Sequence, residues 1–346
     1  MNGYLVLETG EVYAGRWHGG QASSGEVVFN TSHCGYEEIA TDPSYYSQIM
    51  VMTAPMQGNY GSRIDDWESK KIWLRGFVCL EIHQRGTGGA WLEKLVSNGV
   101  PVLSEVDTRS LVLRLRRQGT PWAGLVQAKD EAEARARAAT YLAQKESLAS
   151  DWTALVSTEK SFDLQGAKRN GPRLALIDFG AKTNIINSLL PQAAEIRVFP
   201  STTRPDAIRE YNPDGILLSN GPGDPAQVKQ GTQTVRELLG WKPIFGICMG
   251  HQVLALALGA KTYKLKFGHR GGNHPVHDLL LNKICVTSHN HGYAVSRESL
   301  PQGVRVTHVN LNDNTVEGIE CASKKCFSVQ YHPESEPGPH EASELF

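Results

Sequence analysis

The chain has 346 residues, long enough for two domains that each bury their own core. Its 35 basic and 36 acidic residues leave a formal net charge of −1, without the polybasic footprint that nucleic acid would require of a partner. No run of about 18 apolar residues marks a membrane span. The opening MNGYLVLETGEVY lacks the basic-then-apolar order of a signal peptide, and six cysteines without a CxxC pair point to reduced thiols in a cytoplasmic protein.

The first 30 residues predict β-structure. YLVLETGEVYAG places apolar stretches on either side of Thr9-Gly10, and GEVVFNTS supplies a further strand. WLRGFVCLEI follows as a strand and SLVLRLRRQG as a helix closed by Gly119. Asp130 with Glu133 forms a capping box for an alanine-rich helix running to Gln144. From 151 to 171 the text becomes polar and turn-rich, which predicts a linker between an N-terminal domain, 1–150, and a C-terminal one, 172–346. Beyond Pro172 the short apolar runs RLALID, EIRVFP, GILLS and PIFG alternate with longer segments, among which NIINSLL and TVRELLGW predict helices. That alternation predicts an α/β domain with a mostly parallel sheet flanked by helices, preceded by a mixed β/α domain. The runs ICVTS, VRVTHV and CFSVQ extend or flank that sheet.

The most informative local feature is PIFGICMGHQVLALALGA. A buried strand at 243–246 meets an apolar helix at 248–258, ended by Gly259. Between them Gly246-Ile247-Cys248-Met249-Gly250 has the G-x-nucleophile-x-G form of a strand-to-helix elbow. The turn is too sharp for a β-carbon at either glycine. It sets Cys248 at a helix N-terminus, where free amides and the helix dipole favour thiolate. Taken alone, the pentapeptide fits a buried, inert cysteine equally well. In VQYHPESEPGPH, His332 and Glu334 are two apart, and Pro333 biases the segment towards extended conformation, so both side chains point to one side. His332 as base and Glu334 as its orienting partner would complete a triad with Cys248. By itself the HPE segment reads more simply as a surface turn. In GILLSNGPGDP, Gly221-Pro222-Gly223 follows a strand at the edge where open α/β sheets bind ligands. It fits no phosphate loop, and its free amides suit an oxyanion.

Together GICMGHQ, SNGPGDP and YHPE resemble the three signatures of class I (triad) glutamine amidotransferases, in that family's order. GEVVFNTSHCGYEEIATDPSYYSQIM, EVDTRSLVLRLRRQGT, IDFGAKTNI, KFGHRGGNHPV and SHNHGYAV resemble the small subunit of carbamoyl-phosphate synthetases, and the similarity runs from residue 1 to the final residues. The resemblance implies hydrolysis of L-glutamine through a thioester, with ammonia passed to a large-subunit partner in a heterodimer. There it would meet bicarbonate and ATP to form carbamoyl phosphate for arginine and pyrimidine synthesis. It implies Cys248 as nucleophile, His332 as base and Glu334 as its partner. It also implies a glutamine pocket of Ser44, Gly221, Gly223, Met249, Gln252, Asn290, Gly292 and Tyr293, with the Gly221 and Met249 amides as oxyanion donors. Ser44 lies in the N-terminal domain, so the implied pocket straddles both. Met249 and Tyr293 stand where that family often has leucine and phenylalanine, and EASELF ends where its members usually continue into a helix.

Both domains are accounted for without ATP-binding machinery, so ATP and magnesium are expected on the large subunit and no cofactor on this chain. Three other readings compete. A different amidotransferase subunit would share the triad but not the N-terminal half. A catalytically silent scaffold would be expected to have lost the nucleophile. A metal site could draw on the histidines of GHRGGNHPVHD with His289 and His291, but the Cys/His spacing of a structural zinc site is absent, so no metal is expected.

Overall fold

The computed structural model describes residues 2–83, 90–145 and 150–346. The chain divides into two compact units, Met1–Ser150 and Asp151–Phe346.

The first unit is built on a closed seven-stranded barrel. Strands β1 (Asn2–Leu7) and β2 (Val12–Gly19) form the hairpin expected around Thr9-Gly10, with Val6 opposite Val12. Gly10 turns the chain at a φ of 101°, a conformation that costs a glycine little. Next come β3 (Ser23–Asn30), α1 (Tyr36–Thr41), β4 (Gln48–Met52), β5 (Met56–Gln57), β6 (Gly76–Val78), β7 (Glu81–Ile82) and α2 (Trp91–Ser97). The unit is completed by β8 (Val102–Ser104), α3 (Thr108–Gln118), β9 (Trp122–Gln127) and α4 (Glu131–Leu142). The barrel order is β1-β2-β8-β6-β4-β3-β9, closed by β9 pairing with β1. The links β3–β4, β4–β6 and β6–β8 are parallel, and such links need crossovers; α1 lies between β3 and β4, and α2 between β6 and β8. The single strand expected from WLRGFVCLEI is broken into β6 and β7, because the Cys79 and Leu80 carbonyls accept from Val106 and Glu105 instead. Gly119 closes α3 at a φ of 97°. The α4 cap is displaced from a true box: Asp130 accepts from the Glu133 amide at 2.9 Å, while the Glu133 carboxylate accepts from the Lys129 amide at 3.0 Å.

The second unit begins with residues expected to be a linker, and that expectation is corrected. Helix α5 (Trp152–Val156) is capped by Asp151, whose carboxylate accepts from the Thr153 amide at 3.0 Å. Strand β10 (Phe162–Gln165) then pairs antiparallel with β12 at the sheet edge. The elements that follow are β11 (Arg173–Asp178), α6 (Thr183–Leu189), β12 (Glu195–Pro200), α7 (Pro205–Tyr211), β13 (Gly215–Leu218), α8 (Lys229–Leu238), β14 (Ile244–Ile247) and α9 (Met249–Leu258). After them come β15 (Thr262–Asp278), β16 (Lys283–Val295), β17 (Arg305–Asn310), β18 (Val316–Cys321) and β19 (Cys326–Val329). They form one ten-stranded sheet, ordered β10-β12-β11-β13-β14-β19-β18-β16-β15-β17. Only its centre is parallel: β12, β11, β13, β14 and β19. The other half is antiparallel, because a short turn joins β15 to β16 as a hairpin where a helical crossover would be needed for parallel pairing.

Alternation along the central strands assigns the two faces. Ala175, Ile177, Ile216, Leu218 and Ile244 pack with Ile208 of α7, Val235 of α8 and Val253 of α9. Leu176, Leu217 and Ile247 pack with Ile185 and Leu189 of α6. The order reverses at β11, with β12 on one side and β13 on the other, and a site is expected at the carboxyl ends of strands around such a point. Among the described residues no helix is long and apolar enough to cross a membrane.

Candidate active site

Cys248 occupies the elbow between β14 and α9. Its backbone is at φ 54° and ψ −102°, a region that L-residues adopt only when the surroundings compel it. The surroundings here are backbone. A β-carbon on Gly250 would lie 2.2 Å from the Leu218 carbonyl oxygen, and one on Gly246 would lie 2.6 Å from the Gly250 carbonyl. The Cys248 amide donates to the Val329 carbonyl and the Gly250 amide to the Ser219 carbonyl, both at 2.9 Å. These bonds tie the elbow to β19 and to the end of β13. The Cys248 thiol is buried and donates to the Asn290 carbonyl across 3.6 Å.

His332 follows β19, held by its amide's bond to the Ser288 carbonyl at 2.9 Å. Its Nδ1 donates to Glu334 Oε1 at 2.6 Å, so the expectation that both side chains share one side is met. With Nδ1 engaged by Glu334, the buried Nε2 is the ring nitrogen left to exchange a proton with Cys248. Burial disfavours the imidazolium. The Glu334 carboxylate and then the Cys248 sulfur outweigh it, raising the His332 pKa to about 10. Glu334 is fully buried too, yet Lys182 and His332 hold its pKa down at about 2.

Lys182 was not singled out from the sequence. Its Nζ lies 3.1 Å from Glu334 Oε1 and donates to the Ser335 and Glu336 carbonyls at 2.7 and 2.8 Å. A lysine at 3 % exposure is rare without a partner. Its one sequence signal is its place between the end of β11 and α6. There Asp178 accepts from the amides of Gly180 and Ala181 at 2.8 and 2.7 Å, and Asn220 accepts from the Lys182 amide at 3.1 Å.

The remaining candidates belong to the second unit, with one exception. Gly221 follows β13, where a β-carbon would come within 2.2 Å of the Phe179 carbonyl, and Gly223 has a φ of 92° against Trp152. Met249 is the first residue of α9, and the amides of a helix's first turn have no partner within the helix. Gln252 donates both amide hydrogens, to the Tyr293 carbonyl at 2.8 Å and to Gln330 Oε1 at 2.9 Å. Asn290, Gly292 and Tyr293 lie together on β16. The exception is Ser44, in the first unit, buried in the turn after α1, where its amide donates to Asp42 Oδ1 at 2.8 Å. The elbow helix also carries His251, bonded to Ser328 at 2.8 Å and pushed down by burial to about 3, which leaves His332 as the imidazole able to hold a proton beside Cys248.

Comparison with known proteins gives two family matches. Residues 175–346 match the glutamine amidotransferase class-I family, and residues 5–125 match the carbamoyl-phosphate synthase small chain CPSase domain. The carbamoyl phosphate synthase small chain of Chlorobaculum tepidum is 47% identical, over 99% of this chain and 95% of its own length. That of Symbiobacterium thermophilum is 45% identical over 98% and 95%, and that of Methanocaldococcus jannaschii 43% over 100% and 97%. Among solved structures, a glutamine amidotransferase from Thermotoga maritima aligns with 47% of the chain and 76% of its own at 20% identity, with a TM-score of 0.39.

Proposed function

The chain belongs to the carbamoyl phosphate synthase small chain family, and from that premise we propose how its residues carry out the reaction. It is the glutamine-hydrolysing subunit, delivering ammonia to a large-subunit partner that makes carbamoyl phosphate. Cys248, with its proton transferred to His332, attacks the carboxamide carbon of L-glutamine. The oxyanion that forms is met by the amides of Gly221 and Met249, which cost no reorganisation at the moment of reaction. His332 then protonates the departing nitrogen, releasing ammonia and leaving a γ-glutamyl thioester on Cys248. Water, deprotonated by His332, attacks the thioester, so glutamate leaves and the thiol is restored. Glu334 keeps Nδ1 protonated and the ring in register, as the third member of a triad does. Lys182 keeps Glu334 ionised.

The observation that carries this reading is the buried series Lys182–Glu334–His332 beside a nucleophile on a positive-φ elbow. Acid-quenched turnover mixtures should contain a γ-glutamyl adduct on Cys248 by mass spectrometry. An adduct confined to another cysteine, or turnover without any adduct after rapid quenching, would contradict it.

Substrate recognition is assigned to Ser44, Gly223, Gln252, Asn290, Gly292 and Tyr293, together with the oxyanion donors. Gln252 keeps its side-chain oxygen as an acceptor, since both of its hydrogens are engaged. Ser44→Ala should raise KM for glutamine with little change in kcat, the signature of lost uniform binding; an unchanged KM would remove Ser44 from the pocket. ATP and magnesium act on the large subunit, in a cytoplasmic heterodimer serving arginine and pyrimidine synthesis.

A further inference from the structure

Strands β15 and β16 and the start of β18 bring four buried side chains to one point: His269, His289, His291 and Glu317. One ligand atom from each lies within 4.8 Å of the others. Their outward hydrogen bonds settle which atoms face inward. His269 Nε2 is 2.8 Å from Asp313 Oδ2, a carboxylate that only accepts, so Nε2 carries a hydrogen and Nδ1 is the nitrogen turned inward. His291 Nδ1 is 2.8 Å from the Tyr293 carbonyl, so Nε2 is bare. The Thr287 hydroxyl gives its one hydrogen to the His274 carbonyl at 2.9 Å, and therefore accepts from His289 Nε2 at 2.7 Å. His289 Nδ1 is bare as well.

These three assignments put lone pair against lone pair. His289 Nδ1 faces His291 Nε2 at 3.1 Å with no hydrogen between them. His269 Nδ1 is 3.5 Å from Glu317 Oε1, and Glu317 Oε2 is 3.7 Å from His289 Nδ1. Neither His269 Nδ1 nor Glu317 Oε2 has a hydrogen-bond partner, and both are buried. Three imidazole nitrogens, one each from His269, His289 and His291, thus converge with the Glu317 carboxylate on one buried point.

We propose that this cluster is a structural site for a divalent transition cation of the zinc type, held by His269 Nδ1, His289 Nδ1, His291 Nε2 and Glu317. Tetrahedral bonds of about 2.0–2.1 Å set ligand-to-ligand edges of about 3.3 Å; the His289–His291 edge is 3.1 Å, and no two of the four ligand atoms are more than 4.8 Å apart, so small side-chain shifts would close the cluster on an ion. Each imidazole has an outer partner of the kind that fixes the tautomer of a metal ligand. Glu317 is steadied by Asn310 at 3.0 Å and Thr315 at 3.3 Å. Three nitrogens suit zinc, cobalt or nickel and disfavour magnesium or calcium, which take oxygen ligands. Four buried protein ligands leave no open position, so the ion's role is to hold strands together. It clamps β16 on both sides of Asn290, whose carbonyl accepts from Cys248. This replaces the expectation of no metal.

The rival occupant is a proton. Burial pulls the His269 pKa down, but Asp313 and Glu317 outweigh it and hold it at about 9. A proton on Nδ1, with His289 in its other tautomer, would satisfy the same atoms. The full chain, purified without a metal-affinity step, is dialysed against zinc or cobalt(II) chloride and then against buffer alone. Elemental analysis should find about one zinc per chain, and the cobalt form should show the intense visible bands of a four-coordinate ion. His289→Gln and Glu317→Gln should lose both signals. Thr287→Val keeps every ligand and should bind about 10- to 100-fold more weakly, so the test survives if a ligand variant fails to fold. Zinc should raise the Tm of the wild type and not that of His289→Gln. Wild type retaining no more zinc than His289→Gln, or cobalt showing only the pale spectrum of a six-coordinate ion, would overturn the proposal in favour of the protonated network.

Discussion

At the scale of single residues, the proposed catalytic centre is an arrangement for keeping opposite charges buried side by side. His332 and Glu334 are both fully enclosed, and each holds the other ionised, with Lys182 completing the series. The linkage to pH follows from the directions of the shifts. His332 is raised from 6.5 to about 10, so its contribution to stability is complete below pH 6.5 and lost as pH climbs through 10. Glu334 is lowered from 4.5 to about 2, so its contribution is complete above pH 4.5 and lost as pH falls through 2. The stability advantage of wild type over His332→Asn, measured by denaturant unfolding, should therefore shrink steadily between pH 6.5 and 10. An advantage that stays constant or grows over that range would contradict the charged triad. The elbow at Cys248 and the pairing of His332 with Glu334 were legible in the sequence because local geometry decides them: an elbow needs glycines two residues to each side of its central residue, and residues two apart in an extended segment share a side. Lys182 was not, because its partner lies 152 positions away and only the fold brings them together.

At the scale of elements, the elbow depends on how closely β13, β14 and α9 approach each other. The space that a β-carbon on Gly250 would need belongs to the Leu218 carbonyl, and Gly250's own amide is tied to Ser219 one residue further on. Backbone atoms on both sides cannot rotate away as a side chain could. Gly250→Ala should destabilise the second unit by about 1–3 kcal/mol, as overpacking does, and lower glutaminase activity by displacing Cys248. Wild-type stability and activity in that variant would show that the elbow has room the geometry denies. The strands of the parallel centre were visible as apolar runs because both their faces are covered. Strand β10 was hidden because three of its four residues are exposed, as befits an edge, so its polar text looked like a linker. The histidine cluster was legible only in part, for a different reason: His269, His289 and His291 stood among the histidines a metal site could draw on, but Glu317 did not. Its ligands come from three segments, and irregularities in the β15–β16 register on both sides of His269 through Gly271 re-aim the chain there. No spacing rule spans that.

At the scale of the whole molecule, the two units carry different sequence families, and the proposed triad lies entirely in the second. The chain's chemistry is proposed to end at ammonia, with synthesis belonging to the partner. Cys248→Ser separates these most directly, since it nearly conserves volume while replacing the thiol with a far poorer nucleophile. The variant is assembled with the large subunit and assayed for carbamoyl phosphate with ATP, bicarbonate and either glutamine or an ammonium salt. Glutamine-dependent synthesis should fall by several powers of ten while ammonia-dependent synthesis matches that of the wild-type complex. Full glutamine-dependent synthesis would remove Cys248 from the mechanism, and loss of ammonia-dependent synthesis in an intact complex would mean that this chain takes part in synthesis itself.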